Sequence, residues 1–128
     1  MIQRLPKLLA IIAGLAVVAA AAQPALAQKS SERFIPIGQS PGLSGSVTLL
    51  GSVRAMDVAS GQLTIALDGG GHQTIQVNPQ TRLWLDRSEA RAPSTTCEKS
   101  DLRPGVRVEA MPDKSTPGLA EWVKVNTP

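Results

Sequence analysis

Apolar residues follow three successive patterns along this chain. Residues 8–22 (LLAIIAGLAVVAAAA) form an unbroken apolar run of fifteen positions. Residues 28–44 (QKSSERFIPIGQSPGLS) show no period of either kind and are rich in Ser, Pro, Gly and Gln. From Gly45 onward, apolar and polar positions alternate in short runs separated by turn residues, which is the signature of half-buried strands.

The alternating runs can be read one by one. Residues 46–56 (SVTLLGSVRAM) predict a long strand, with Gly51 in its middle marking a bulge or bend. A turn over 57–61 leads into a strand at 62–67, where Leu63, Ile65 and Leu67 share one face. Asp68-Gly69-Gly70-Gly71 is a hairpin signal, and residues 72–77 alternate again with Gln73, Ile75 and Val77 together. Asn78-Pro79-Gln80 ends that run, and residues 81–85 (TRLWL) continue it as a short extended piece with Leu83 and Leu85 opposite Trp84. Residues 86–100 are irregular; Ser100 can then cap one helical turn that tucks Leu102 inward before Pro104-Gly105. Residues 106–111 (VRVEAM) alternate clearly, with Val106, Val108 and Ala110 on one face. In the last run, 119–125 (LAEWVKV), Glu121, Val123 and Val125 share a face, with Trp122 and Lys124 on the other; Glu121 is tolerable only at a rim.

This order predicts an all-β fold, a small five-stranded OB-like barrel with a short helical turn between the third and fourth strands. An SH3-like barrel or small sandwich is the competing architecture. Closure suits a small domain because it removes exposed strand edges. The expected organisation is a signal peptide over 1–27, a flexible N-terminal arm over 28–44 and the barrel over 45–126.

The first of these segments sets the compartment. Arg4 and Lys7 precede the apolar run, and Ala25-Leu26-Ala27 supplies a small-x-small cleavage site, so the segment reads as a secretory signal. A spanning helix needs about 20 apolar residues, more than this run provides. Position 28 is Gln where a lipoprotein needs Cys, and no Arg-Arg pair precedes the run. The mature protein is expected to be periplasmic or secreted, with no stable membrane insertion after cleavage. Removing Arg4 and Lys7 takes Lys plus Arg from 13 to 11 against 10 acids, leaving a charge near +1. Arg82, Arg87, Arg91, Lys99, Arg103 and Arg107 are interleaved with Asp86, Glu89, Glu98, Asp101 and Glu109, which reads as a solvated mixed-sign surface. No clustered basic stripe or tyrosine is present, so nucleic acid is not expected as a partner.

Catalytic chemistry finds few residues to use. His72 is the only histidine and follows three glycines at a hairpin tip; Cys97 is the only cysteine, in the irregular connection. No Ser-His-acid set, Cys-x-x-Cys or phosphate loop is present, and the acids are scattered through loops. No internal disulfide can form, although an intermolecular one through Cys97 stays open. No catalytic residue, metal site or cofactor is expected. Trp84 and Trp122 fall on the face opposite their aliphatic neighbours: outward, they are contact residues, with Arg82, Arg87 and Lys124 nearby; otherwise each caps one end of the core.

Several strings taken in order carry a resemblance: Gly51-Ser52-Val53, Asp57 through Gly61, Leu63-Thr64-Ile65, Asn78-Pro79-Gln80-Thr81, then Asp101-Leu102-Arg103-Pro104-Gly105-Val106-Arg107-Val108, and Ala120-Glu121-Trp122-Val123-Lys124-Val125. Over about residues 45–126 they resemble the uncharacterised small β-barrel domains of secreted bacterial proteins. That resemblance implies fold and compartment but no activity. More distantly, the chain is similar to the small periplasmic copper and silver chaperone barrels, whose His, Trp and paired Met bind soft metal. His72, Trp84, Met56 and Met111 are present, but Leu83 and Leu85 flank Trp84 and there is no Met-x-Met pair. The expected function is therefore a non-catalytic exported binding or interaction module for a protein or glycan. Trp84, Trp122 and Arg82 are its expected contacts, with a soft-metal carrier as the alternative.

Overall fold

Alternation becomes a single sheet. The computed structural model describes residues 31–126, so the expected signal peptide lies outside the described residues. From Arg33 onward the chain forms one folded unit. Its strands are β1 (Leu49–Asp57), β2 (Gln62–Leu67), β3 (His72–Gln76), β4 (Arg82–Asp86), β5 (Thr95–Thr96), β6 (Arg107–Pro112) and β7 (Ala120–Asn126). They lie in the order β3-β2-β1-β6-β7-β4-β5. Every neighbouring pair is antiparallel except β4 and β7, which run parallel.

The described sheet thus has seven strands where the sequence pattern predicts five. The extended continuation after β3 is a strand of its own, because Pro79 has no N–H to give a ladder. Beside it, the Asn78 side chain accepts the N–H groups of Gln80 and Thr81 in a local turn. β3 stays with β2 while β4 crosses to β7. The second addition is β5, a two-residue strand against Trp84 and Leu85 inside the connection expected to be irregular. At the end of β3, the N–H of Gln76 donates to Gly118 at 2.8 Å, and Gln76 bridges Leu119 in parallel. One edge of the sheet therefore reaches the lead-in to β7.

The inward faces are those the alternation predicts. Val53, Leu63, Ile65, Ile75, Val77, Val108, Ala110, Val123 and Val125 form the core, closed by Leu102, which tucks in as expected. Two local expectations are corrected. Gly51 is not a bulge: it pairs with both Leu67 and Val108, and a Cβ there would lie 2.0 Å from the Ala66 carbonyl oxygen. The bulge falls after it, where the register shifts between Val53 and Ala55. At the other end, a shift between Met111 and Pro112 brings Ala120 into the core and leaves Glu121 half-buried. The helical turn is a 3-10 turn over Lys99–Asp101, capped by Glu98 and not by Ser100: the Glu98 and Asp101 side chains form a reciprocal box.

The N-terminal segment, expected to be a flexible arm, forms turns over the residues described. Residues 36–48 make a series of turns closed by their own backbone bonds, among them Gln39 N–H to Pro36 and the N–H groups of Val47 and Thr48 to Leu43. Gly38, Gly42 and Gly45 sit there with left-handed backbone. Phe34 is exposed beneath the Arg33 guanidinium, while Ile35 and Ile37 are half-buried. Ser, Gly and Pro read as a linker in sequence; here they supply turn geometry and side-chain hydroxyls.

Candidate functional site

Strand alternation gives β4, β6 and β7 an outer face opposite the core. On it stand Arg82, Trp84 and Asp86 from β4, Glu109 and Met111 from β6, and Trp122 and Lys124 from β7. The register sets their spacing: Glu109 lies opposite Lys124, Lys124 opposite Trp84, and Trp122 opposite both Met111 and Arg82. Trp84 and Trp122 are thus diagonal neighbours across β4 and β7. Their rings stack at 5.7 Å between centroids with 29° between planes. The Lys124 ammonium sits 4.6 Å from the centre of the Trp122 ring, a cation–π contact.

An outer face ordinarily meets water; this one meets residues 37–48. Trp84 retains 6% exposure, Trp122 5%, Lys124 1% and Glu109 none. The segment presents donors to both carboxylates. The N–H of Ile37 donates to Asp86 at 3.0 Å, and that of Gly38 to Glu109 at 3.0 Å. The hydroxyls of Ser44 and Thr48 each donate to the other Glu109 oxygen at 2.7 Å. The Lys124 ammonium lies 3.3 Å from the Ser40 hydroxyl. Burial works against the charge on Asp86, but the Ile37 amide, the hydroxyl and amide of Ser88 and the nearby Lys124 charge outweigh it. The carboxyl is held below the ordinary value of 3.8.

Sequence reasoning placed Trp84, Trp122 and Arg82 on this face, and the structure brings all three together there. It leaves only Arg82 exposed; the two indoles are covered. Sequence reasoning named Lys124 beside the indoles but missed Asp86 and Glu109 as members of the site, and the mixed-sign surface assigned to those two acids is corrected to a buried cluster. A signal existed. Glu109 and Lys124 flank apolar strand residues at outward positions beside Trp122, next to a preceding segment rich in hydroxyls.

The remaining candidates lie apart. His72 is exposed and pairs with the Arg54 guanidinium, so its Nε2 acts as an acceptor there. Cys97 is half-buried, and desolvation, followed by the charges of Asp101 and Glu98, pushes its thiol up to about 12. A thiol so protonated is a poor nucleophile at neutral pH. Met56 packs against the core, whereas Met111 stands across from Trp122 on the outer face, so the soft donors do not share a face. Among the described residues there is no group of three or more His, Cys, Asp or Glu arranged to hold a metal, and no helix long and apolar enough to cross a membrane.

Chemically, the outer face is a set of acceptors beside an aromatic pair. Its carboxylates receive hydroxyl and amide donors. No family model and no curated protein matches the chain, including any for the order of turn motifs noted in the sequence. Solved structures similar to it include three of CusF. One is a Cu(II) form of a variant from Escherichia coli, at 17% identity and a TM-score of 0.41, covering 63% of this chain and 91% of that one. A second, Ag(I)CusF, has 17% identity and a TM-score of 0.39 over 62% and 95% of the two chains. The third, CusF with Ag(I) from Escherichia coli, has 17% identity and a TM-score of 0.40 over 63% and 91%.

Proposed function

We propose that this chain is a non-catalytic, exported binding module built on an OB-like barrel, and that the outer face of β4, β6 and β7 is its binding surface. The observation that carries the reading is the presence of Glu109, Lys124 and Asp86 in a buried layer with two stacked indoles, away from the core. Stability gives little reason for such a layer. Buried ion sets are commonly matched or bettered by apolar residues of the same volume, so stability alone does not account for this one. Indoles with one polar edge and a cation nearby are the usual anchors of a contact surface.

The OB-like description is supported by β1 lying between β2 and β6 and by the parallel return of β7 beside β4. The bridge from Gln76 to Leu119 supports closure of the barrel. Export rests on the signal pattern in residues 1–27. The partner is a protein or glycan; a near-neutral mature charge and buried acids on the face disfavour nucleic acid.

The test follows the two indole N–H signals by NMR while the purified protein is titrated with oligosaccharides and extended peptides. Shifts centred on Trp84, Trp122 and Arg82 are expected. Shifts confined to the β2–β3 hairpin or to the loop around Cys97 would assign binding elsewhere and end this reading.

A further inference from the structure

We infer that residues 37–48 act as a strap occupying a saccharide site, and that the ligand displacing it is a chain of N-acetylated amino sugars. The inference rests on the outer face being the binding surface and deepens it by naming the ligand class.

The donors the strap supplies define the ligand. Glu109 receives one amide N–H, from Gly38, and two hydroxyls, from Ser44 and Thr48. Asp86 receives one strap amide, from Ile37. An acetamido sugar carries the same kit: one amide N–H and several hydroxyls on a rigid ring, which loses little freedom on binding. Its C–H face suits an aromatic neighbour, and the Trp84 ring of the indole pair stands beside Asp86 and Lys124 on this face. Charge points the same way. A neutral ligand leaves Lys124 beside Glu109 undisturbed, whereas a phosphate-rich chain would meet two carboxylates.

The strap is also built to leave. Its backbone turns close on one another, from Pro36 and Ser40 to Leu43 and Thr48, and it meets the sheet at the carboxylates of Asp86 and Glu109 and at the Lys124 ammonium, which donates to Ser40. It takes no part in the strand ladders, which begin at Leu49. The bonds it gives up are ones an amino sugar restores with the same chemistry, so exchange is close to balanced.

The probes are chitotriose, maltotriose (hydroxyls without an amide) and a synthetic peptide of residues 37–48. In the unmodified protein, chitotriose is expected to shift the two indole signals and to speed hydrogen exchange at the Ile37 and Gly38 amides, because it takes their acceptors. Loosening the strap with Ser44→Ala and Thr48→Val removes two donors without touching the sheet. It should tighten chitotriose binding about tenfold by raising the open fraction. Maltotriose should bind more weakly than chitotriose to both proteins. Glu109→Gln added to the loosened variant should lose at least about tenfold again, since its amide NH₂ faces donors. A thermal melt followed by circular dichroism establishes that each variant is folded.

Chitotriose binding that leaves Ile37 and Gly38 exchange unchanged overturns the strap. If the peptide moves the indole signals while neither sugar does, the saccharide assignment falls and the binding face stands. If a folded, loosened variant responds to none of the three probes, the inference and the binding face fall together.

Discussion

Glu109 has no solvent-exposed surface, three donors on its two oxygens and Lys124 across the strand. Replacing it by Ala strands those donors and leaves a buried ammonium facing them. Glu109→Ala should cost about 3–5 kcal/mol in urea unfolding, the range for removing one partner of a buried charge set. Glu89→Ala, on the exposed surface, should stay within about 0.5 kcal/mol. At Cys97, burial and two acids hold the thiol near 12. At pH 8 its thiolate fraction is about a thousandfold below that of a thiol at the ordinary value of 9.0. Alkylation by iodoacetamide should therefore be slow in the native protein and recover in urea, measured by mass; equal rates in both would contradict this. The same residues mark the limit of sequence reading. Alternation placed Trp84, Trp122, Glu109 and Lys124 on outward positions, because side-chain direction follows from period alone. Their burial depends on a segment tens of residues distant in sequence, and no local pattern encodes that.

Among the elements, β1 is the most constrained, with neighbours on both edges and Gly51 against the Ala66 carbonyl. A methyl group at that position must push backbone apart. Gly51→Ala should destabilise by about 3 kcal/mol through overpacking, read as a lower urea midpoint with unchanged slope. Sequence pattern identified the strands around it because each has a half-buried face. It misjudged the role of Gly51, since close approach and bulge formation select the same residue. The division of β3 from β4 was also partly legible: Asn78-Pro79 was visible as a stop, but which partner the chain joins after it is a tertiary choice. The strap was the least legible element, its composition matching a linker while its hydroxyls serve Glu109.

At the scale of the whole molecule, the Asp86 carboxylate is an acid-sensitive contact between the barrel and the strap. Asp86 titrates below its unfolded value of 3.8, so the folded state binds the proton less well than the unfolded chain. Its contribution is fully present above the unfolded value and is lost as pH falls through the folded one. Lowering the pH from neutrality should leave tryptophan emission constant until below about 4, where release of the Ile37 amide loosens the strap and shifts emission to the red. A red shift completed above pH 5 would show that another group governs the contact. With no internal disulfide and a modest core, the unit has little stability in reserve, so this loosening should lie close to global unfolding.

The place of β7 between β6 and β4 has a consequence for the birth of the molecule. It is the last strand in chain order, yet it joins the two halves of the sheet. A nascent chain that has emitted β1 to β6 has only the two-residue β5 to pair with β4, and no strand opposite Val108 and Ala110 on their β7 side. Such a topology delays collapse until nearly everything has been made, because its decisive pairings are distant in sequence. Late commitment is thus built into the strand order itself.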